Sequence, residues 1–170
     1  MVSRPREAVP LAGTNPVREE REAMNSVPAI HDTMRKFGYP ASLVRDFGPW
    51  VALVRPQQPT LGSLVLVCTE RTTAFGAISD EAFAVLAPAV REIEGALAAA
   101  FRYDKINWLM LMMVDKEVHF HVIPRYSEPR EFGGRTFADA GWPLAPELGK
   151  AFALDSSGLE TLVRHLQRCF

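Results

Sequence analysis

At 170 residues, nearly half of them apolar, the chain is long enough for one globular domain with a real core. A formal net charge of −1 gives it no overall field for nucleic acid or an anionic membrane surface, so any anion site must be local. No apolar run approaches the roughly 20 residues that cross a bilayer, and the longest, "INWLMLMMV" (106–114), suits a buried strand.

Residues 1–22 mix Pro, Gly and both charge signs without periodicity and read as a mobile arm, leaving 23–170 as a single domain. The N-terminus has no apolar signal segment, and Glu7, Glu19, Glu20 and Glu22 argue against an organelle-targeting arm, so a cytoplasmic location is expected. Over 24–37, Val27, Ile30, Met34 and Phe37 recur at helical spacing, and Gly38 with Pro40 ends the run. His31 falls within it and reads as a surface or structural residue. Three apolar segments follow, 42–47, 50–55 and 61–68, each bounded by Gly or Pro, as antiparallel strands joined by tight turns would be. Cys68 ends the third as a small buried hydrophobe, and with Cys169 it matches no thiolate metal motif.

The stretch 79–101 is the main helix. Ser79 is its N-cap, Asp80 and Glu81 occupy the positive first turn, and Phe83, Leu86, Val90, Ile93, Leu97 and Phe101 form a buried stripe. Pro88 should kink or break it. Next, 105–114 and 117–126 read as a hairpin turned at Asp115-Lys116. The segment after it, with Gly133-Gly134, Trp142-Pro143 and Pro146, is mostly loop. A last helix spans about 155–168 with Leu159, Leu162, Val163 and Leu166 inward and His165 on the solvated face. The element order gives an α+β fold, an antiparallel sheet covered mainly by one long helix.

Chemistry concentrates in "KEVHFHVIPRY" (116–126). Strand side chains alternate, so Glu117, His119 and His121 share one face, about 6.6–7 Å apart along the strand, while Val118, Phe120 and Val122 bury the other. Three readings compete. Both imidazoles are satisfied structural groups, or they ligate zinc or iron with Glu117 as third ligand. Alternatively one imidazole, largely neutral at pH 7 with a pKa near 6.5, is a nucleophile and the other a donor to the leaving group. The metal reading lacks a fourth ligand, since His31 and His165 lie on unrelated helices.

The motif "VHFHVIPRY" resembles the signature of the histidine triad (HIT) family, in which three histidines alternate with apolar residues on a strand. "WVALVRPQQPTLGSLVLV" is similar to the family's earlier strand pair, "KINWLMLMMVDKEVHFHVIPR" to its last two strands, and "DAGWPLAP" (139–146) to the Asp-x-x-Trp-Pro stretch of a bacterial branch. The likeness covers roughly 40–148, in the right order. It implies a five-stranded antiparallel sheet with one long helix and additional terminal helices, usually paired into a homodimer. It also implies a nucleotide hydrolase or nucleotidyl transferase that cleaves a phosphoanhydride or phosphoramidate and needs no cofactor or metal. The alternative is a non-catalytic nucleotide-binding module on a decayed site of that kind. His119 would attack the α-phosphate to form a nucleotidyl-histidine, and His121 would donate to the leaving group or phosphate. The chain departs from the pattern in three places. Glu117 replaces the first triad histidine, Gly62-Ser63 stands where Gly-His is usual, and Met112-Met113 occupies the place of a phosphate-binding loop. Among the remaining substrate-binding candidates, Asn107 matches a family phosphate contact, and Arg55 and Arg125 offer positive charge. The carbonyl of residue 117 would orient the nucleophile whatever its side chain.

Overall fold

The computed structural model describes residues 30–170, so the 1–22 arm and residues 24–29 of the expected 24–37 helix lie outside the described residues. Within them, helix α1 is Asp32–Lys36, shorter than expected and starting after an extended His31. It ends as the sequence requires: Gly38 takes φ +85°, its N–H bonds to Arg35 O, and the Tyr39 N–H reaches Met34 O at 3.0 Å. These are the two hydrogen bonds of a Schellman cap, and Tyr39 closes the motif by packing in the Met34 cluster.

Strands β1 (Leu43–Asp46), β2 (Trp50–Val54), β4 (Leu64–Cys68), β5 (Lys105–Leu109) and β6 (His119–Arg125) form one sheet in the order β1-β2-β4-β6-β5, antiparallel throughout. The strands at 42–47 and 50–55 appear close to their expected bounds. The third is shorter, because 61–63 forms a turn instead. There Gly62, at φ +80°, passes so close to helix α2 (Asp80–Phe101) that a Cβ would sit 2.7 Å from the Phe101 ring. Strands β2 and β4 are buried along their whole length because both faces of the sheet are covered. One face carries Trp50, Leu64, Leu66, Val118 and Val122 under α2 and helix α3 (Ser156–Gln167). The other carries Val51, Leu53, Val65 and Val67 under Met34 and Phe37.

Helix α2 is capped as expected: the Ser79 hydroxyl accepts from the Ala82 N–H at 3.1 Å. It runs unbroken through Pro88. Pro88 and Ala84, whose carbonyl the proline leaves without a donor, are both exposed, so this helix face is open to solvent where the bond is lost. The stripe is buried at Ile93, Leu97 and Phe101, whereas Phe83 is 40% exposed and Ala82 and Ala89 make the approach to the sheet nearer the N-terminus. The Trp50 indole N–H ties this end down by donating to Ala82 O at 2.7 Å.

Three further expectations change. The strand over 105–114 stops at Leu109, β6 starts at His119, and 110–118 is a loop rather than the end of a hairpin. Contacts made elsewhere outweigh the ladder: Val118 exchanges main-chain bonds with Thr72 and Cys68, Asp115 pairs with Lys36 at 2.6 Å, and Glu117 bonds Thr33. The 126–155 segment is also not all loop. Gly133-Gly134, at φ +58° and +71°, turns a hairpin between β7 (Arg130–Phe132) and β8 (Arg135–Phe137), and β9 (Phe152–Ala153) pairs with β3 (Gln57–Gln58). The last helix is α3, with Asp155 as N-cap accepting from Gly158 N–H at 2.7 Å. His165 does not face solvent: it lies half-buried between the rings of Phe101 and Phe132, 5.4 and 5.1 Å away. No described helix is long and apolar enough to cross a membrane.

Candidate active site

Strand alternation puts His119, His121, Ile123 and Arg125 on one face of β6, flanked by Val67 and Val65 of β4 and by Leu109 and Asn107 of β5. The two imidazoles stand edge to face with centroids 5.0 Å apart, and Phe37, at the end of α1, packs on both at 5.9 and 5.7 Å. They form the floor of a cavity of about 310 Å³ walled by Lys36, Phe37, Arg55, Leu148 and the loop from Leu111 to Asp115.

His119 is oriented by one bond. Its Nδ1 lies 2.7 Å from the main-chain carbonyl of Glu117. A carbonyl only accepts, so Nδ1 carries the proton and the Nε2 lone pair is free for a reacting centre. His121 differs. Burial, then the neighbouring His119 and Arg55, push its pKa down to about 4 against the opposing pull of Asp115, so it is neutral at pH 7. Its Nδ1 is buried without a partner among the described residues. Arg55 is half-buried, gives Nη1 to Gln57 O at 2.7 Å, and keeps a buried Nε without a described partner. Burial lowers its pKa, and Asp115 partly offsets this.

Glu117 is not the third member of a row. It precedes β6, and its carboxylate turns toward α1, accepting from the Thr33 hydroxyl at 2.5 Å. That bond holds its pKa below the usual carboxylate range, so it is ionised near neutrality. It lines a neighbouring cavity with Asp32, Thr33 and Lys36, outside the one that contains the histidines. Its backbone, not its side chain, reaches His119. Among the described residues no three His, Cys, Asp or Glu side chains gather as a metal site would require.

Arg125, Asn107 and Ser63 do not line the cavity. Arg125 forms a buried ion pair with Asp139 at 2.6 Å and also donates to Asn107 Oδ1 and Leu144 O at 2.7 and 2.9 Å. This knot fastens the 139–144 segment to the far end of the histidine face. Ser63, fully buried, gives its hydroxyl to Thr60 O at 2.8 Å, while the Gln58 amide brackets its main chain. His31 is structural: 2% exposed, with Nε2 2.8 Å from Cys68 O. Sequence reasoning missed Lys36, Phe37, Asp115 and Leu148 as cavity residues. Each belongs to a locally unremarkable segment and reaches the site only through tertiary contact.

No protein-family model and no curated protein sequence matches the chain. Solved structures do. A histidine triad protein from Bradyrhizobium japonicum superposes with a TM-score of 0.65 at 20% identity, over 82% of this chain and 96% of that one. One from Sinorhizobium meliloti gives 0.66 at 18% identity, over 85% and 98%. The diadenosine triphosphate hydrolase of Plasmodium falciparum gives 0.54 at 9% identity, over 91% and 95%. The fold of this chain is that of the histidine triad proteins.

Proposed function

We propose that the chain is a nucleotide hydrolase or nucleotidyl transferase that cleaves at the α-phosphate through a covalent adduct on His119. The carrying observation is the 2.7 Å contact from His119 Nδ1 to the Glu117 carbonyl, which selects the tautomer whose Nε2 lone pair is available in a ring that lines the cavity. In the first step Nε2 forms a bond to phosphorus as the phosphorus–oxygen bond to the leaving group breaks, the electron pair departing with that group. Water then attacks phosphorus, the phosphorus–nitrogen bond breaks, and the pair returns to the ring as the water proton is released. His121, neutral and adjacent, donates an N–H to a phosphoryl oxygen without carrying charge. Arg55 and Lys36 supply the positive charge that the composition as a whole lacks. The hydrolase from Plasmodium falciparum on the same fold supports this class.

Rapid-quench labelling with an α-³²P nucleotide tests the reading. The wild-type chain is expected to retain label at His119, and His119→Ala to lose both label and turnover. Full activity in His119→Ala refutes the assignment, while nucleotide binding with no turnover in the wild type reassigns the chain as a binding module.

A second copy belongs to this reading. Strand β5 is a sheet edge with Ile106 and Trp108 only half-buried, and Phe83 on α2 is 40% exposed. Sedimentation at micromolar concentration should give twice the 18.9 kDa chain mass, and a monomer would remove the dimer from the proposal.

A further inference from the structure

The carbonyl that orients His119 ends a loop with little main-chain support. The Val118 N–H, in the same peptide group, donates to Thr72 O at 3.0 Å. Upstream of it, from Leu111 to Glu117, no main-chain group bonds to another main chain among the described residues. Side chains of α1 supply the missing hold. Thr33 Oγ1 donates to Glu117 Oε2 at 2.5 Å, and Lys36 Nζ meets Asp115 at 2.6 Å. Thr33, Lys36 and Phe37 stand three and four residues apart, hence on one side of α1, and Phe37 packs on both imidazoles. The two tethers differ in strength. The lysine side chain is 50% exposed, so water competes for its bond, whereas Thr33 is 1% exposed.

Resting on the reading of His119 as nucleophile, we infer that Thr33 is a positioning residue for the reaction. Through the Glu117 side chain it holds the 117 carbonyl against His119 Nδ1, and so keeps the proton on Nδ1 and the lone pair on Nε2. Thr33 lies outside the cavity over the histidines and lines the neighbouring one with Glu117, so it acts through that residue alone. A carbonyl displaced by about 1 Å no longer selects the tautomer, and a ring protonated at Nε2 has no lone pair there to attack phosphorus. The bond needs only a donor on residue 33 and an acceptor on residue 117. A hydroxyl on the helix and a carboxylate in the loop supply them across 84 residues of sequence.

Ring-nitrogen NMR of the full chain carrying isotopically labelled histidine tests this at about pH 8, above the ordinary imidazole range. His119→Gln assigns the signals, and His165, between Phe101 and Phe132, is the control for global change. The wild-type His119 ring should be protonated at Nδ1. In Thr33→Val and in Glu117→Ala the proton should pass in part to Nε2. Thr33→Ser and Glu117→Gln keep a donor and an acceptor and should retain the wild-type pattern. Turnover of a nucleotide substrate should follow the tautomer: kcat falls about tenfold in either broken variant, and the double variant falls no further, because the same bond is lost. A His119 ring unchanged in both broken variants overturns the inference, as does a double variant down about a hundredfold, the product of two independent effects. If the buried Thr33→Val does not fold, Glu117→Ala, at a half-buried loop position, decides alone. The tautomer is read without substrate, so absence of label on wild-type His119 brings down the hydrolase reading separately.

Discussion

The histidine face of β6 has two ends with opposite characters. At the Arg125 end every polar group is consumed: the guanidinium meets Asp139, Asn107 and the Leu144 carbonyl, and the ion-pair side chains are 5% and 1% exposed. Two residues before Ile123, at His121, a ring nitrogen is buried without a partner among the described residues, and Arg55 across the cavity leaves its Nε in the same state. One strand, one face and one rule of alternation produce both. The difference lies in what covers them. The 139–144 segment brings a carboxylate and a carbonyl to the arginine, whereas the 110–118 loop brings methionine, leucine and valine to the histidines. A buried polar group that is fully satisfied holds structure; one left unsatisfied at a cavity is open to water or a ligand.

Arg125→Ala should break this contrast most severely. It leaves the Asp139 carboxylate buried and uncompensated, so the chain should lose about 3–5 kcal/mol of unfolding free energy, measured by urea denaturation. A loss below about 1 kcal/mol would show the pair to be replaceable by water.

At the His121 end the expected effect is smaller and depends on pH. The unfolded chain takes up a proton near pH 6.5, whereas the folded chain resists it until about pH 4. Between those values the unfolded state binds more protons, so stability is complete above pH 6.5 and falls as pH drops toward 4. His121→Gln removes this linkage. Its stability should decline less than that of the wild type between pH 6.5 and 4.5, by on the order of 2 kcal/mol, read from urea midpoints. Parallel pH profiles would mean that the imidazole is solvated.

Glu117→Gln should have the smallest effect. The carbonyl that orients His119 is unchanged, and the side chain works on Thr33 in the neighbouring cavity. Turnover should stay within about threefold, and stability should fall by about 1 kcal/mol or less as a charge-assisted bond becomes neutral. A loss of a hundredfold in kcat would make the carboxylate a catalytic partner after all.

Much of the architecture is legible without coordinates where it rests on local rules. Ser79 caps α2 because a short oxygen-bearing side chain there satisfies an N–H that the helix cannot, and Asp155, read only as the start of the last helix, does the same for α3. The Gly38 stop, the strands at 43–46 and 50–54, and the placement of His119 and His121 on one face follow equally from residue type and period. Other features escape such reading. "INWLMLMMV" has the composition of a strand throughout, and nothing within it marks Leu109 as the last paired residue. His165 sits among arginines on its helix, yet Phe101 and Phe132 close over it from elsewhere in the chain.

By itself, then, the sequence determined the Ser79 cap, the alternation that pairs the two histidines, and an α+β order of elements. Only the tertiary structure decided that Glu117 offers His119 a carbonyl and gives its carboxylate to Thr33, 84 residues away. It also decided that Lys36, Phe37 and Asp115 enclose the site and that Arg125 and Asn107 fasten a segment outside the cavity. The reason is one of range. Caps and periodicity are settled among residues within a turn or two of each other, while the direction of a loop depends on the competing attractions of distant chain. Here α1 and the 69–72 turn outbid the sheet for residues 110–118.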